Sequence, residues 1–221
     1  MTTLKQLEGP FLPPKSGKAK QLVMFLHGYG SNGDDLLSIG DQWAHVLPDA
    51  VFVSPNAPEP CEQSPMGYQW FSIRALDKAV FEREKQMEKV APILNAHIDT
   101  QLKRWHVDEK HVAVVGFSQG AMMAMYAMPR RKKACGAVIG YSGMLLDAKG
   151  LKESSIVKPP ILAIHGDADE VVSPASLQDV QEGFSAAGFD VETIMRPYLG
   201  HGIDQFGLVR GVEFIKEAFD K

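Results

Sequence analysis

The sequence predicts a single α/β domain, residues 1–221, built in three layers with a mostly parallel central sheet and helices on both faces. Two observations predict this class. Short apolar runs without polar alternation recur along the chain, and such runs are typical of strands that are buried on both faces. Helical patterns separate these runs, as in βαβ units. The 221 residues, 45% of them hydrophobic, are enough for a substantial core.

The strands are predicted from apolar runs, the last of which is more polar than the others. In chain order these runs lie at residues 22–26, 51–53, 112–115, 137–139, 161–164 and 191–195. Ahead of them, the proline-rich stretch up to Lys20 is at most an edge strand and a loop. Residues 56–69 contain three prolines and show almost no periodicity, which predicts a long irregular loop. Long loops in compact domains are often functional.

The helices are predicted between the strands. From Met87 to Trp105, apolar residues recur every three or four positions, with charged residues on the other face. Pro92 lies inside this stretch, so we expect a kink or a break in the helix there. Three further helices are expected, at residues 118–128, 174–187 and about 204–218.

Composition and charge argue against several classes of function. The chain has 23 basic and 27 acidic residues, a net charge of −4, and no basic stripe, so broad capture of nucleic acid is not expected. The longest nearly apolar run, residues 121–128, is too short for stable membrane insertion. Two cysteines make no disulfide framework and the first residues lack the apolar core of a signal peptide, which predicts a cytoplasmic location.

A Gly-x-Ser-x-Gly motif follows the third predicted strand and precedes a helix rich in Ala and Met. Its members are Gly116, Ser118 and Gly120. A serine on so tight a strand-to-helix turn needs small residues two positions before and after it, and the turn lifts the hydroxyl above the sheet. Ser118 is therefore the predicted nucleophile. The alternative is a structural Gly/Ser turn without chemistry.

A nucleophilic serine needs a base to take its proton and a carboxylate to orient that base. In three-layer folds with this motif, the acid and then the histidine follow the serine in the chain. Only His201, between two glycines after the last strand, lies late enough; the alternative is a surface-loop histidine. Asp169, in the loop after the fifth run, is the predicted acid, with Asp167 as the alternative.

Two backbone N–H groups are expected to stabilise the oxyanion of the reaction. One belongs to Gln119, directly after the nucleophile. The other belongs to Tyr29, in the loop after the first central strand. His27, at the start of that loop, is expected to support the loop and not to act as a base.

Two cofactor hypotheses compete with this chemistry. Residues 28–33 match the G-x-G-x-x-G dinucleotide fingerprint, but Ser54 and Pro55 stand where that fingerprint requires an acidic residue. The acidic residues at 167, 169 and 170 could suggest a metal site, but they lack the spacing of a calcium loop. No metal and no cofactor is therefore expected.

The acyl-binding residues are predicted from apolar positions near the motif. Trp70 and Phe71, at the end of the irregular loop, are expected to cap an apolar pocket above Ser118, with plain packing as the alternative. Met144 and Leu145, after the fourth run, are expected to line the same pocket.

Five motifs, taken together and in order, resemble those of a known family. They are His27-Gly-Tyr-Gly30, Trp70-Phe71, Gly116-Phe-Ser-Gln-Gly120, His165-Gly-Asp-Ala-Asp169 and Gly200-His-Gly202. From about Leu22 onward the chain resembles the phospholipase/carboxylesterase family, small α/β hydrolases that include bacterial carboxylesterases and acyl-protein thioesterases. The resemblance implies the triad and oxyanion donors named above, the absence of a large cap domain, and a tendency to form homodimers.

The resemblance also implies an activity, the hydrolysis of small-molecule acyl esters or thioesters, of short to medium chain length, through an acyl-serine. Residues 168–170 lack the proline that often follows the acid in the eukaryotic thioesterases, and the Trp70-Phe71 region looks more like the bacterial esterases. Carboxylesterase is therefore the main interpretation. An acyl-protein thioesterase or lysophospholipase with the same triad is the alternative, and a non-catalytic ligand-binding member of the fold is a remoter one.

Overall fold

The computed structural model describes residues 5–73, 80–153 and 155–221, the side chains of residues 80–84 excepted. Within these ranges the strands are, in chain order, β1 (Phe11–Leu12), β2 (Gln21–Leu26), β3 (Ala50–Val53), β4 (Glu59–Pro60), β5 (Tyr68–Gln69), β6 (Val112–Phe117), β7 (Ala137–Tyr141), β8 (Ile161–Gly166) and β9 (Val191–Arg196). The helices are α1 (Gly33–Trp43), α2 (Val80–Trp105), α3 (Gln119–Ala127), α4 (Ser176–Ala186) and α5 (Gln205–Phe219).

The central sheet has seven strands in the order β1-β3-β2-β6-β7-β8-β9. β1 pairs with β3 in antiparallel direction, and every other neighbouring pair in this sheet is parallel. The predicted, mostly parallel sheet is therefore confirmed, and β1 is the edge strand expected before Lys20. Because the parallel strands share one direction, their carboxyl ends and the loops that follow them meet at one edge of the sheet.

Side chains of the central strands alternate between two cores. In β2, Leu22, Met24 and Leu26 pack on the side of α2, α3 and α4, whereas Val23 and Phe25 pack on the side of α1 and α5. Both faces of the sheet are covered, which is the physical reason that these strands show no polar alternation. The three-layer prediction is confirmed.

Helix α2 runs through Pro92 without a break, so the break expected there is not seen, and the alternative, a kink, stays a prediction. A proline inside a helix costs about 3 kcal/mol because it removes a hydrogen bond and crowds the preceding turn. The apolar face of the helix outweighs that cost, since Met87, Val90, Leu94 and Ile98 are all buried in the core.

None of the described helices combines the length and the apolar character needed to cross a bilayer.

The segment predicted as an irregular loop contains a small second sheet. Residues 59–60 pair with residues 68–69 in antiparallel direction. Gly67 lies so close to the backbone of Gly30 that a Cβ at position 67 would overlap it. The Gly30 N–H also donates to the Tyr68 carbonyl at 2.9 Å. The segment is thereby held against the loop that follows β2.

Candidate active site

Ser118 lies at the junction of β6 and α3, at the carboxyl edge of the sheet. Its φ of 53° and ψ of −116° are strained for a residue that has a side chain. Glycine at position 120 permits this turn, because a Cβ there would overlap the Leu26 carbonyl. The Ser118 N–H donates to the Tyr141 carbonyl at 2.8 Å. Contacts with β2 and β7, the strands on either side of β6, therefore hold the serine in its strained conformation.

His201 comes from the loop between β9 and α5 and reaches Ser118. Its Nε2 lies 3.0 Å from Ser118 Oγ, and its Nδ1 lies 2.8 Å from Asp169 Oδ2. A proton on Nδ1 can be donated to the carboxylate, which leaves Nε2 free to accept the serine proton. The imidazole also packs against the Phe117 ring, with centroids 4.9 Å apart. The structure thus brings together the three residues that the sequence predicts as nucleophile, base and acid.

The carboxylate of Asp169 is buried and hydrogen-bonded through both oxygens. Oδ1 accepts from the backbone N–H groups of Val171 and Val172 at 2.8 and 2.9 Å. Oδ2 faces His201 Nδ1 and also lies 3.2 Å from His165 Nε2. Burial raises the pKa of the Asp169 carboxyl, but the hydrogen bonds from His201 and the two N–H groups outweigh it and hold that pKa below its ordinary value. The group is an anion at neutral pH.

Asp167 occupies a different place from Asp169. Its Oδ1 accepts a 2.7 Å hydrogen bond from the backbone N–H of Tyr198, and its own N–H donates to the Arg196 carbonyl at 3.0 Å. Tyr198 has a φ of 60°, in the left-handed region. The structure therefore places Asp167 against the backbone of the loop that carries His201.

The predicted oxyanion donors lie on the two backbone segments nearest to Ser118. Gln119 is the first residue of α3, and the first N–H groups of a helix have no acceptor within the helix. The helix N-terminus also favours negative charge. Tyr29 follows Gly28, which is so close to the nucleophile that a Cβ at position 28 would lie 3.5 Å from Ser118 Cβ. That both N–H groups bind an oxyanion stays a prediction.

A buried hydrogen-bond network beneath the site was not foreseen from the sequence. The side-chain oxygen of Gln119 accepts from the Trp70 N–H at 2.7 Å, and its Nε2 donates to the Phe71 carbonyl at 2.7 Å. The indole N–H of Trp70 donates to the His27 carbonyl at 3.0 Å. A polar amide at the start of an otherwise apolar helix was the one available signal, because buried amides need partners.

His27 completes this network as a neutral imidazole. Its Nε2 accepts from the Ala57 N–H at 3.0 Å, and its Nδ1 donates to the Gly28 carbonyl at 2.7 Å. Desolvation by burial lowers the pKa of His27, which keeps the ring uncharged. The side chain ties the oxyanion loop to residues 56–71, in keeping with the supporting role expected for it.

Comparison with known proteins identifies the family of this chain. The family model described as phospholipase/carboxylesterase matches residues 7–218. The chain belongs to this family. The crystal structure of esterase PE8 is 37% identical in sequence, with a TM-score of 0.91, over 97% of this chain and 100% of that one.

Two sequence relatives carry different activities in their names. Esterase YpfH of Escherichia coli is 29% identical over 203 residues, which cover 92% of this chain and 85% of that protein. Acyl-protein thioesterase 1 of Neurospora crassa is 26% identical over 228 residues, 96% of this chain and 92% of that protein. Membership of the phospholipase/carboxylesterase family confirms the resemblance found in the motifs and the α/β-hydrolase fold, and it supports the hydrolysis of esters as the activity.

The predicted pocket residues fall into two groups in this family member. Trp70 and Phe71 are fully buried. The reason is that their backbone and indole groups bond Gln119 and His27 in the interior. Met144 and Leu145 are half-buried and follow β7, at the same sheet edge as Ser118. Contact of any of these side chains with an acyl chain stays a prediction.

In the ranges that the structure describes, no group of three His, Cys, Asp or Glu side chains is arranged to hold a metal ion. The two cysteines, Cys61 and Cys135, are buried and free. The predicted absence of metal and cofactor stays a prediction.

Proposed function

We propose that this chain is a carboxylesterase that cleaves acyl esters of short to medium chain length through an acyl-serine intermediate. The observation that carries the proposal is the continuous chain of contacts from Ser118 Oγ to His201 Nε2, at 3.0 Å, and from His201 Nδ1 to Asp169 Oδ2, at 2.8 Å. All three residues come from loops at the carboxyl edge of one sheet. No metal or cofactor is needed for this chemistry.

In the first half of the reaction, Ser118 Oγ attacks the acyl carbon while His201 Nε2 takes the hydroxyl proton. The carbonyl electron pair moves onto oxygen, where the N–H groups of Tyr29 and Gln119 stabilise it. A donor of this kind contributes about 3–4 kcal/mol in enzymes where it has been removed. The tetrahedral intermediate then collapses, the bond to the leaving oxygen breaks, and His201 returns the proton to that oxygen.

In the second half, water replaces the alcohol. His201 takes a proton from the water as its oxygen attacks the acyl carbon, and the same N–H groups stabilise the second oxyanion. The bond between the acyl carbon and Ser118 Oγ breaks, and the proton returns to the serine. Asp169 remains ionised throughout, orients the imidazole and stabilises its charged form.

The proposal is tested by initial rates on p-nitrophenyl esters from acetate to palmitate. Ser118→Ala should lower kcat by roughly 10⁴-fold or more. Ser54→Ala is the matched control, because Ser54 is a second buried serine, just beyond β3, and the control should keep wild-type rates. If Ser118→Ala keeps as much as about a tenth of the activity, the nucleophile is misassigned.

A second candidate function is supported by the match to acyl-protein thioesterase 1 of Neurospora crassa, at 26% identity. A thioesterase or lysophospholipase would use the same triad and differ in its preferred acyl chain. An optimum at acetate or butyrate supports the carboxylesterase, and an optimum at palmitate supports the thioesterase or lysophospholipase.

Covalent labelling of Ser118 by an organophosphonate would exclude the non-catalytic, ligand-binding interpretation.

A cytoplasmic location and a homodimer complete the proposal. Ser118, Asp169 and His201 all come from one chain, so the chemistry does not depend on a partner subunit. Light scattering across a range of concentrations tests the dimer, and fractionation of cells that express the protein tests the location.

A further inference from the structure

The most exposed large apolar side chains of the described residues belong to loops that adjoin the candidate site. Tyr198 is 95% exposed, Met66 87% and Val171 71%, and the next in order, Phe206, is only 47% exposed. Val171 stands two residues after the predicted acid, and Tyr198 stands three residues before the predicted base. Exposed apolar side chains in the loops that carry an active site are candidates for contact with the substrate.

Tyr198 and Val171 belong to one rigid platform. The loop after β8 and the loop after β9 are joined by the Tyr198 N–H bond to Asp167 Oδ1, at 2.7 Å, and by the Ala168 N–H bond to the Leu199 carbonyl, at 3.0 Å. The Val171 N–H donates to Asp169 Oδ1. The same bonds that position the acid and the base therefore position both apolar residues.

Folding does not explain a tyrosine at position 198. Its φ of 60° is a conformation that glycine adopts without strain and that a bulky side chain adopts at a cost. Because the side chain is almost fully exposed, its packing does not offset that strain. Strain retained in a loop beside an active site points to a function for the side chain.

The proposed chemistry says which part of the substrate meets this platform. His201 Nε2 returns its proton to the leaving oxygen, so the leaving group lies on the side of His201 and the carbonyl oxygen lies on the side of Gln119. Tyr198 and Val171 flank His201 and Asp169 in their loops. Met66 belongs to the opposite side, because the next residue, Gly67, packs on the loop that contains Tyr29.

We propose that Tyr198 and Val171 form a leaving-group subsite that selects esters of large, uncharged, apolar alcohols. The proposal rests on the proposed esterase function and deepens it. The apolar side chains of both residues would bury an aryl or long alkyl alcohol, whereas methanol is too small to cover their apolar surface. The exposed carboxylate of Glu170, next to Val171, disfavours an anionic leaving group such as a phosphate ester.

The test holds the acyl group constant and varies the alcohol. Rates on methyl, hexyl and benzyl butyrate are measured by pH-stat titration. We expect wild type to prefer the hexyl and benzyl esters, and Tyr198→Ala to lower that preference by roughly 10-fold through KM, the scale of discrimination that an apolar contact provides. The loss of activity on methyl butyrate should be much smaller than the loss on the hexyl and benzyl esters, because methanol has little apolar surface to place against the ring.

Three variants separate the subsite from other effects. Tyr198→Phe keeps the ring and should keep the preference. Tyr198→Gly removes the ring and the strain together, so it should lose the preference while the melting temperature rises. Val171→Asp should lower the preference as Tyr198→Ala does. Its matched control is Val46→Asp, a half-exposed valine between α1 and β3, which should not.

An unchanged alcohol preference in Tyr198→Ala would overturn the subsite while the esterase proposal stands. So would an equal loss of activity on methyl and benzyl butyrate, which would assign Tyr198 to loop positioning. If the wild-type rate on a long-chain ester rises sharply at the concentration where the ester forms micelles, and Tyr198→Ala lacks that rise, Tyr198 is assigned to contact with a lipid surface instead. A dimer in wild type that Tyr198→Ala dissociates would assign it to a second copy of the chain. Failure of the esterase proposal itself is distinguished by Ser118→Ala, which would then still hydrolyse methyl butyrate.

Discussion

The side-chain oxygen of Gln119 accepts a 2.7 Å hydrogen bond from the backbone N–H of Trp70. The residue that follows the nucleophile thereby holds the end of the 56–71 segment, and the same amide donates to the Phe71 carbonyl. That segment packs in turn against Gly30, next to the predicted oxyanion donor Tyr29. One buried amide thus links the two backbone segments that would bind the oxyanion: the start of α3 directly and, through residues 56–71, the loop that contains Tyr29.

Gln119→Met should therefore damage both stability and catalysis. The change keeps the length of the side chain but leaves the Trp70 N–H and the Phe71 carbonyl buried without a partner, at a cost of about 1–3 kcal/mol for each group. We expect a lower melting temperature and a fall in kcat larger than any rise in KM, measured by thermal unfolding and by steady-state rates on p-nitrophenyl butyrate.

The control for this variant is Gln178→Met on the exposed side of α4, where the amide bonds only Glu182 within the described residues. Gln178→Met should leave the melting temperature and kcat near their wild-type values. A Gln119→Met protein with wild-type kcat and melting temperature would show that the network does not support the site.

The two neighbouring acids should differ sharply in their effect on rate. Asp169→Asn should lower kcat by roughly 10⁴-fold, because an amide in place of the carboxylate favours the wrong tautomer of His201. Asp167→Asn keeps an oxygen that can accept from the Tyr198 N–H, so its effect should stay below about ten-fold. Steady-state kinetics of the two variants measures the ranking, and the reverse order would move the acid to position 167.

Asp169 should also make the fold sensitive to acid. Its pKa is lower in the folded chain than in the unfolded one, so at acid pH the unfolded chain binds more protons and stability falls as the pH falls. The contribution of Asp169 to the free energy of unfolding is complete above the ordinary carboxyl pKa of about 4. It is lost as the pH drops through the lower pKa that Asp169 has in the folded chain. Asp169→Asn should therefore flatten the acid branch of a plot of melting temperature against pH. Parallel curves for the variant and wild type would contradict this linkage.

The sequence by itself determined the layers of the fold and named the candidates for nucleophile, base and acid. Burial on both faces of the sheet removes polar alternation from the strands, so the apolar runs in the sequence mark the central strands within a few residues of their observed ends. The Gly116-x-Ser118-x-Gly120 spacing has a steric cause that acts within five residues, and the chain order of acid and histidine follows from strand order. Each of these signals is local or periodic, and is therefore visible in one dimension.

Only the tertiary structure decided how the loops at the carboxyl edge are arranged. Asp167 and Asp169 are two residues apart, and it is the hydrogen bonds of the Val171 and Val172 N–H groups that turn Asp169 toward His201. Sheet pairing of two residues on each strand, at 59–60 and 68–69, is too short to leave a periodic pattern. The burial of Trp70 depends on partners 43 and 49 residues away in the chain. Loop conformations of this kind are set by contacts between distant residues, which no pattern along the chain encodes.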